Sequence, residues 1–209
     1  MNPLFDEFRK AQNRLSRRDP ILRQLMKAVG PCTLLPNPDG FNILVRAIIS
    51  QMISTKAAAS IAGRLEQELG GGGFQPGAIV AAPEEKLRAV GLSGAKARAL
   101  HDLAGRVQNG QLPLHDLSSR TDEEVVSLLT PVRGIGTWTA QMFLIFSLGR
   151  LDVLPVDDLG LRAGVRDVYG LSEMPGRAYL MQAAEKWQPY RSVATWYFWK
   201  SRGFVPQSD

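Results

Sequence analysis

The most specific pattern in the chain is the run Leu129-Thr130-Pro131-Val132-Arg133-Gly134-Ile135-Gly136-Thr137-Trp138-Thr139-Ala140. It predicts that one helix ends, that Gly134-Ile135-Gly136 makes a tight turn, and that a second helix begins at Thr137. The two glycines can adopt positive φ and let a ligand reach the backbone, because they lack a Cβ. The N–H groups from Gly136 onward then lie at a helix N-terminus, where partial positive charge favours an anion.

We expect Ile135, between the two glycines, to pack inward and hold the two helices together. A turn of this kind binds a phosphate without reading base sequence, because backbone donors contact only the sugar–phosphate chain. Taken alone, a Gly-x-Gly pattern is weak, and a plain turn between helices is the commoner explanation.

Apolar residues recur at helical spacing along most of the chain. The clearest stripes are Ile43, Leu44, Ala47 and Ile48, then Ala58, Ile61, Ala62, Leu65 and Leu69, then Ala97, Leu100, Leu103, Ala104 and Val107. Ser93 is placed to cap a helix, and Thr121 with Glu124 matches a capping box. The one strand candidate, residues 151–156, is short and carries Pro155. The sequence predicts an all-α fold of about ten helices.

Composition excludes several classes of function. The 209 residues include one cysteine, Cys32, and two histidines, His101 and His115, so we expect no intramolecular disulfide, no iron–sulfur cluster and no His-based metal site. Residues 1–18 alternate apolar and charged side chains, which argues against a signal peptide or membrane anchor. We therefore expect a cytoplasmic protein, associated with the nucleoid in a bacterium. The net charge of +5 and the pI of about 9.6 favour a polyanionic partner, nucleic acid first.

Three stretches together resemble the helix-hairpin-helix superfamily of DNA glycosylases, and within it the branch of bacterial AlkA and yeast 3-methyladenine glycosylase. They are Phe41-Asn42-Ile43-Leu44-Val45-Arg46-Ala47-Ile48-Ile49-Ser50-Gln51-Met52-Ile53-Ser54, Gly134-Ile135-Gly136-Thr137-Trp138-Thr139-Ala140 and Leu154-Pro155-Val156-Asp157-Asp158-Leu159-Gly160-Leu161-Arg162, followed by a tail with Trp187, Trp196 and Trp199. The resemblance implies two helical lobes with a cleft between them. Residues 1–44 plus 151–209 are expected in one lobe and 45–150 in the other, with the helix-hairpin-helix at about 125–148.

A catalytic carboxylate is implied at Asp158. Cleavage of an N-glycosidic bond builds positive charge on the sugar, and a fixed carboxylate near C1′ stabilises that charge and can orient or deprotonate the incoming water. From spacing alone, Asp157 and Asp158 are both candidates, and an N-cap role is the commoner explanation for either; on a helix they point about 100° apart. The family pattern Asp-Leu-Gly-x-Arg selects Asp158 and leaves Asp157 as the expected cap or supporting residue.

The resemblance places Trp138, Trp199 and Met142 in the pocket that receives the base. Alkylated purines such as 3-methyladenine and 7-methylguanine carry positive charge, and indole faces attract cations by about 0.5–2 kcal/mol. Met142 stands where the family often has a tyrosine, which leaves the shape of the pocket open. Trp138 stands where bifunctional relatives carry a lysine that forms a Schiff base and cuts the strand. We therefore expect base excision without a lyase step.

The remaining DNA contacts are expected from the hairpin and from the polar break between two helices at residues 50–55. Met52 occupies the family's wedge position, which fills the gap left by a flipped nucleotide, and Gln51 is the alternative; a buried methionine fits the sequence equally well. The hairpin residues expected at the phosphates are Arg133, Gly134, Ile135, Gly136, Thr137 and Thr139. The backbone carbonyls of Thr130, Arg133 and Ile135 are the expected ligands of a structural Na⁺ or K⁺ ion.

The sequence thus predicts a monofunctional glycosylase of base excision repair, which flips alkylated purines out of double-stranded DNA and leaves an abasic site. We expect it to act as a monomer, away from membranes and with no required cofactor. Two alternatives stay open: a glycosylase for oxidised or deaminated bases, and a non-enzymatic module that uses the hairpin only to bind DNA.

Overall fold

The computed structural model describes residues 3–203 and 205–206, and within them the fold is all-α with no strand, as the sequence predicts. The helices are α1 (Pro3–Arg18), α2 (Pro20–Val29), α3 (Gly40–Ser50), α4 (Thr55–Glu68), α5 (Pro76–Ala81), α6 (Glu84–Ala89), α7 (Gly94–Gln108), α8 (Asp122–Leu129), α9 (Thr137–Phe146), α10 (Leu159–Tyr169), α11 (Arg177–Ala184) and α12 (Arg191–Ser201), with 3₁₀ turns at Leu114–Ser119 and Glu185–Trp187. Helices as short as α5 are too brief to give a periodic stripe, which is why the sequence indicates fewer. In the described part of the chain, no helix is both long and apolar enough to cross a bilayer.

Polar side chains begin several helices where the sequence predicts them. Ser93 caps α7 by accepting a hydrogen bond from the Lys96 N–H at 3.3 Å, and Thr121 with Glu124 forms the capping box of α8. Each cap satisfies N–H groups that a first helical turn cannot bond internally, and contributes about 1 kcal/mol. These caps fix where the helices around the hairpin begin.

The chain forms two compact units, residues 37–148 and residues 1–36 with 149–209. The sequence prediction set the boundaries at 45 and 151, so the first boundary moves to residue 37. It moves because the whole of α3 packs against α4, α7 and α9, which belong to the central unit. Gly40 and Phe41, at the start of α3, are already buried there.

In the unit formed by the chain ends, α12 is the central element. It packs against α10, α2 and α1, and residues 192–199 are all buried. Gly164 of α10 lies so close to α12 that a Cβ would be 2.7 Å from the Phe198 carbonyl oxygen. Glycine at this position lets the two helices approach, and the approach brings the start of α10 against Trp199.

A buried carboxylate anchors the far end of α10. Asp19 caps α2 and accepts hydrogen bonds from the Tyr169 hydroxyl and from the Trp187 indole, the latter at 2.9 Å. Burial alone raises the pKa of Asp19, but these hydrogen bonds, with those from the Leu22 N–H and Lys186, outweigh it and lower the pKa. The charged carboxylate therefore ties α2 to the last residue of α10.

Candidate active site and nucleic-acid interface

Asp158 is the N-cap of α10 and is almost completely buried, with 6% of its surface exposed. The turn before it is closed by a hydrogen bond from the Asp158 N–H to the Pro155 carbonyl at 2.9 Å. Its Oδ1 atom accepts hydrogen bonds from the Leu161 N–H at 2.6 Å and from the Trp199 indole Nε1 at 2.7 Å. Both donors and the helix N-terminus stabilise a negative carboxylate and hold it in one orientation.

The packing around Gly160 shows why glycine occupies this position of the Asp-Leu-Gly pattern. A Cβ at this position would lie 3.2 Å from both Asp158 Oδ1 and Trp199 Cδ1, which is tighter than ordinary van der Waals contact. A side chain at residue 160 would push the indole or the carboxylate away from the first turn of α10 by a few tenths of an ångström. Glycine here preserves the short bond between Trp199 and Asp158.

The structure corrects the predicted role of Trp199. Its ring is fully buried within α12, so it offers no open face to a base, and its contact with the site is the hydrogen bond to Asp158. Met142 is also fully buried, in the apolar interior of α9, which corrects its assignment to the pocket. The physical reason is the same in both cases: residues 142–146 of α9 and 192–199 of α12 are buried on every face of the helix. Trp138, half-buried in the first turn of α9, stays a pocket prediction.

Asp157 does not cap α10 as expected, because Asp158 itself is the cap. Asp157 is exposed and forms an ion pair with Arg177. The two neighbouring carboxylates therefore have opposite environments, one buried and hydrogen-bonded, the other at the surface. Exposed ion pairs contribute about 0–1 kcal/mol, so Asp157 is a suitable comparison for Asp158.

The glycine turn between α8 and α9 is partly as predicted. Gly134 has a φ of +78°, and Ile135 is buried, which confirms the expected tight turn and inward packing. Gly136 has a φ of −95° and a ψ of 178°, so it does not use positive φ, which corrects that expectation. A Cβ on Gly136 would meet nothing within 4 Å, and no side chain caps α9. The missing side chain of Gly136 therefore leaves the first N–H groups of α9 accessible to a ligand.

The other hairpin residues divide by exposure. Thr137 and Arg133 are exposed, whereas the side chain of Thr139 is buried, so Thr139 can offer a phosphate only its backbone N–H. The backbone N–H of Arg133 donates to Asp102 Oδ2 at 2.7 Å, and Asp102 also accepts from Arg106 Nε at 3.0 Å. An acidic side chain of α7 thus holds the hairpin backbone and leaves the Arg133 side chain at the surface.

Met52 lies in the short connection between α3 and α4 and is fully exposed. It also has a φ of +59°, and it is the one non-glycine residue with positive φ in the described parts of the chain. The interpretation of a buried methionine is therefore wrong. The Gln51 side chain does not project in the same way: its Nε2 donates to the Gly134 carbonyl at 2.8 Å. Of the two wedge candidates, Met52 is the one that the fold presents.

A lysine of α7 completes this region. Lys96 Nζ donates to the carbonyls of Ile49 and Gln51, both at 2.7 Å. Burial lowers the pKa of Lys96. Neither Lys96 nor Asp102 is predicted from the sequence; the available signal is their place on α7, where Lys96 adjoins the buried stripe that begins at Ala97.

The comparisons with known proteins agree with this geometry. The family model of the HhH-GPD superfamily base excision DNA repair proteins matches residues 45–189, which include the Met52 turn, the hairpin and Asp158. The chain belongs to this superfamily. The DNA-3-methyladenine glycosylase 1 of Schizosaccharomyces pombe is 36% identical over 197 residues, which cover 92% of this chain and 86% of that protein.

Two solved structures show the HhH-GPD fold at similar identity. The 3-methyladenine DNA glycosylase of S. pombe in complex with abasic DNA has a TM-score of 0.84 and 35% identity, covering 94% of this chain and 98% of that one. The DNA-3-methyladenine glycosidase of Bacillus halodurans has a TM-score of 0.83 and 37% identity, covering 92% and 89%. These HhH-GPD relatives make DNA the expected partner of the hairpin.

Gly136→Ala tests the hairpin as a phosphate site. We expect the affinity for duplex DNA to fall about tenfold, because a methyl group at the helix N-terminus keeps a phosphate from the backbone donors. Thermal stability should stay unchanged, since the backbone conformation suits alanine and the space is open. Fluorescence anisotropy with labelled duplex measures the affinity.

Gly176→Ala is the matched control for this substitution. Gly176 is also an uncapped helix N-cap with extended backbone and open space, at the start of α11. The control should bind DNA as the wild type does. Equal affinity of the Gly136 variant and the wild type would show that the hairpin backbone does not contact phosphate.

Proposed function

We propose that the protein is a monofunctional DNA glycosylase that hydrolyses the N-glycosidic bond of alkylated purines, such as 3-methyladenine and 7-methylguanine, in double-stranded DNA. The observation that carries the proposal is the buried Asp158 carboxylate, held at Oδ1 by the Leu161 N–H and the Trp199 indole. The names of the relatives, 3-methyladenine glycosylases, support the substrate class.

The carboxylate acts on the sugar. As the C1′–N bond breaks, the base leaves with the bonding electron pair and the deoxyribose becomes an electron-poor oxocarbenium. A negative group fixed before the reaction stabilises that charge without reorganising, and its burial strengthens the interaction. Water then bonds to C1′ and loses a proton, which Asp158 can accept or pass to the solvent. The product is an abasic site and a free base.

Alkylated purines suit a site of this kind. They already carry positive charge, so the base is a good leaving group and no separate general acid is needed. Trp138, half-buried at the first turn of α9, stays the ring that we propose for contact with such a base, because indole faces attract cations.

The unit of residues 37–148 provides the proposed contacts with the DNA backbone and the base stack. The first turn of α9 binds a phosphate through backbone N–H groups, and Met52 enters the base stack where the target nucleotide has been flipped out. An apolar side chain that is fully exposed in the free protein supports this role. We further propose that the protein acts as a cytoplasmic monomer without a cofactor. Na⁺ or K⁺ on the carbonyls of Thr130, Arg133 and Ile135 stays a prediction; carbonyl oxygens suit such ions.

Asp158→Asn tests the carboxylate. The amide keeps the shape and an Oδ1 acceptor but removes the charge, so we expect release of methylated purines to slow by at least about a hundredfold. Affinity for a duplex with an abasic analogue should persist. Single-turnover release of free bases from methylated DNA, resolved by chromatography, measures the rate.

Asp157→Asn makes the same change one residue earlier, on the exposed carboxylate, and should excise at nearly the wild-type rate. If the Asp158 variant excised as fast as the wild type, the assignment would be refuted. If the wild-type protein bound duplex DNA but released no base from methylated or oxidised DNA, a non-enzymatic module would be favoured. Release of oxidised bases alone would replace alkylated purines as the substrate class.

The absence of a lyase step has its own test. Trp138 stands at the position where the bifunctional relatives carry their lysine, so no amine is placed there to attack C1′. With borohydride present during turnover, we expect no covalent protein–DNA adduct, and strands that break only after alkali. A glycosylase/lyase treated in parallel shows that trapping works. A trapped adduct of this protein would contradict the monofunctional mechanism.

A further inference from the structure

The connection between α3 and α4 is a strained turn. The Ile53 N–H donates to the Ser50 carbonyl at 3.4 Å across the turn, and Gln51 has a φ of −55° and a ψ of 128°. These angles are those of a type II turn, whose next residue needs positive φ and is normally glycine. Here that residue is Met52, with a φ of +59°. A residue other than glycine is therefore held in a left-handed backbone conformation, which is unfavourable for L-residues.

This arrangement has a second unfavourable feature, because the side chain of Met52 is fully exposed. Neither burial nor backbone preference stabilises it in the free protein. Strained backbone of this kind persists only where the surrounding contacts fix it. The contacts that do so are polar, and they come from α7 and from the hairpin.

Lys96 holds the backbone that leads into Met52. Its ammonium group donates to the carbonyls of Ile49, in the last turn of α3, and of Gln51, just before Met52, both at 2.7 Å. A cation at a helix C-terminus also interacts favourably with the unpaired carbonyls and the helix dipole. One side chain thus fixes the direction in which the chain leaves α3.

Gln51 links the same turn to the hairpin. Its Nε2 donates to the carbonyl of Gly134 at 2.8 Å, and Gly134 is the positive-φ residue of the glycine turn. The turn that carries Met52 and the turn that binds phosphate therefore share a direct hydrogen bond. A phosphate bound at the start of α9 and a side chain inserted in the base stack would be kept at a fixed spacing.

We propose that Lys96 and Gln51 are positioning residues that hold the 50–53 turn in its strained conformation, so that Met52 is presented to the duplex before DNA binds. The inference rests on the proposed function, because a wedge serves only a protein that extrudes nucleotides. It adds that the wedge is preorganised by side chains outside the hairpin pattern and away from the reacting sugar. Preorganisation lowers the ordering cost of binding.

A double-mutant cycle between Lys96→Met and Met52→Ala tests the proposal. Lysine to methionine keeps the length of the stem and removes the donors. The readouts are the affinity for a duplex with an abasic analogue and the fluorescence of 2-aminopurine opposite it, which changes when a side chain enters the stack. Lys86→Met, which removes an exposed lysine of the same unit paired with Glu68, controls for lost charge.

With Met52 present, we expect Lys96→Met to weaken DNA binding about tenfold and to reduce the fluorescence change. Without Lys96, the turn leaves its left-handed conformation in most molecules, and the cost of that conformation corresponds to about a tenfold loss of affinity. In the Met52→Ala background the same substitution should have less than a twofold effect, because it acts through Met52. Lys86→Met should have little effect in either background. Equal losses in both backgrounds, or none in either, would overturn the proposal.

Gln51→Ala provides a second route if the Lys96 variant does not fold, as judged by circular dichroism. It removes the bond to Gly134, and its effect should likewise disappear in the Met52→Ala background. Neither readout requires base release, so the cycle remains interpretable if the protein excises no methylated purine. Failure of the cycle in a protein that does excise such bases would reject the positioning role alone.

Discussion

A buried hydrogen bond from the Trp199 indole to Asp158 Oδ1 governs the geometry of the candidate site. Together with the Leu161 N–H, it orients a carboxylate that the protein otherwise shields from water. The bond depends on the close approach of α10 and α12, which Gly164 permits because a Cβ there would meet the Phe198 backbone at 2.7 Å, and Gly160 avoids a tight contact with the two bonded side chains. Helix packing, two absent side chains and one indole N–H thus hold the Asp158 carboxylate in one orientation.

In the unit of residues 37–148, the parts proposed to contact DNA are backbone segments held by side chains of α7. Asp102 binds the Arg133 N–H, and Lys96 binds the carbonyl of Ile49, just before the 50–53 turn, and that of Gln51, within it. Both come from α7, a helix with no binding pattern of its own. Under the proposed function, backbone donors in the hairpin and the apolar side chain of Met52 would contact DNA without reading its sequence.

Much of the fold follows from the sequence because local signals are strong. Helical periodicity, the caps at Ser93 and Thr121, and the inward Ile135 are set by neighbouring residues, and the structure confirms them. The Asp-Leu-Gly pattern selected Asp158 as the catalytic carboxylate, which stays a prediction; the structure shows that the same residue also caps α10, a role expected of Asp157. The burial of Trp199 and Met142 was not predictable, because an apolar helix gives no indication of which face meets another helix.

The hydrogen bonds that hold the 50–53 turn were not predictable either, for a related reason. Lys96 and Gln51 act through carbonyls 45 or more residues away, and no pattern in one sequence pairs a side chain with a distant backbone oxygen. The φ of Gly136 was misjudged because glycine permits both signs, and only the surrounding chain selects one. Residues whose role is set by long-range contacts thus need the structure.

The orienting role of the Trp199 indole is tested most directly by the single-turnover rate at which the Trp199→Phe variant releases methylated purines. The control is Trp196→Phe, the same substitution on the same helix. Phenylalanine keeps an aromatic ring in the buried position and removes the N–H that orients Asp158. Base release by the Trp199 variant should slow by about tenfold or more, as expected for one lost hydrogen bond to a charged group, whereas the Trp196 variant should release base at nearly the wild-type rate. A Trp199 variant that releases base at the wild-type rate would contradict the orienting role of the indole.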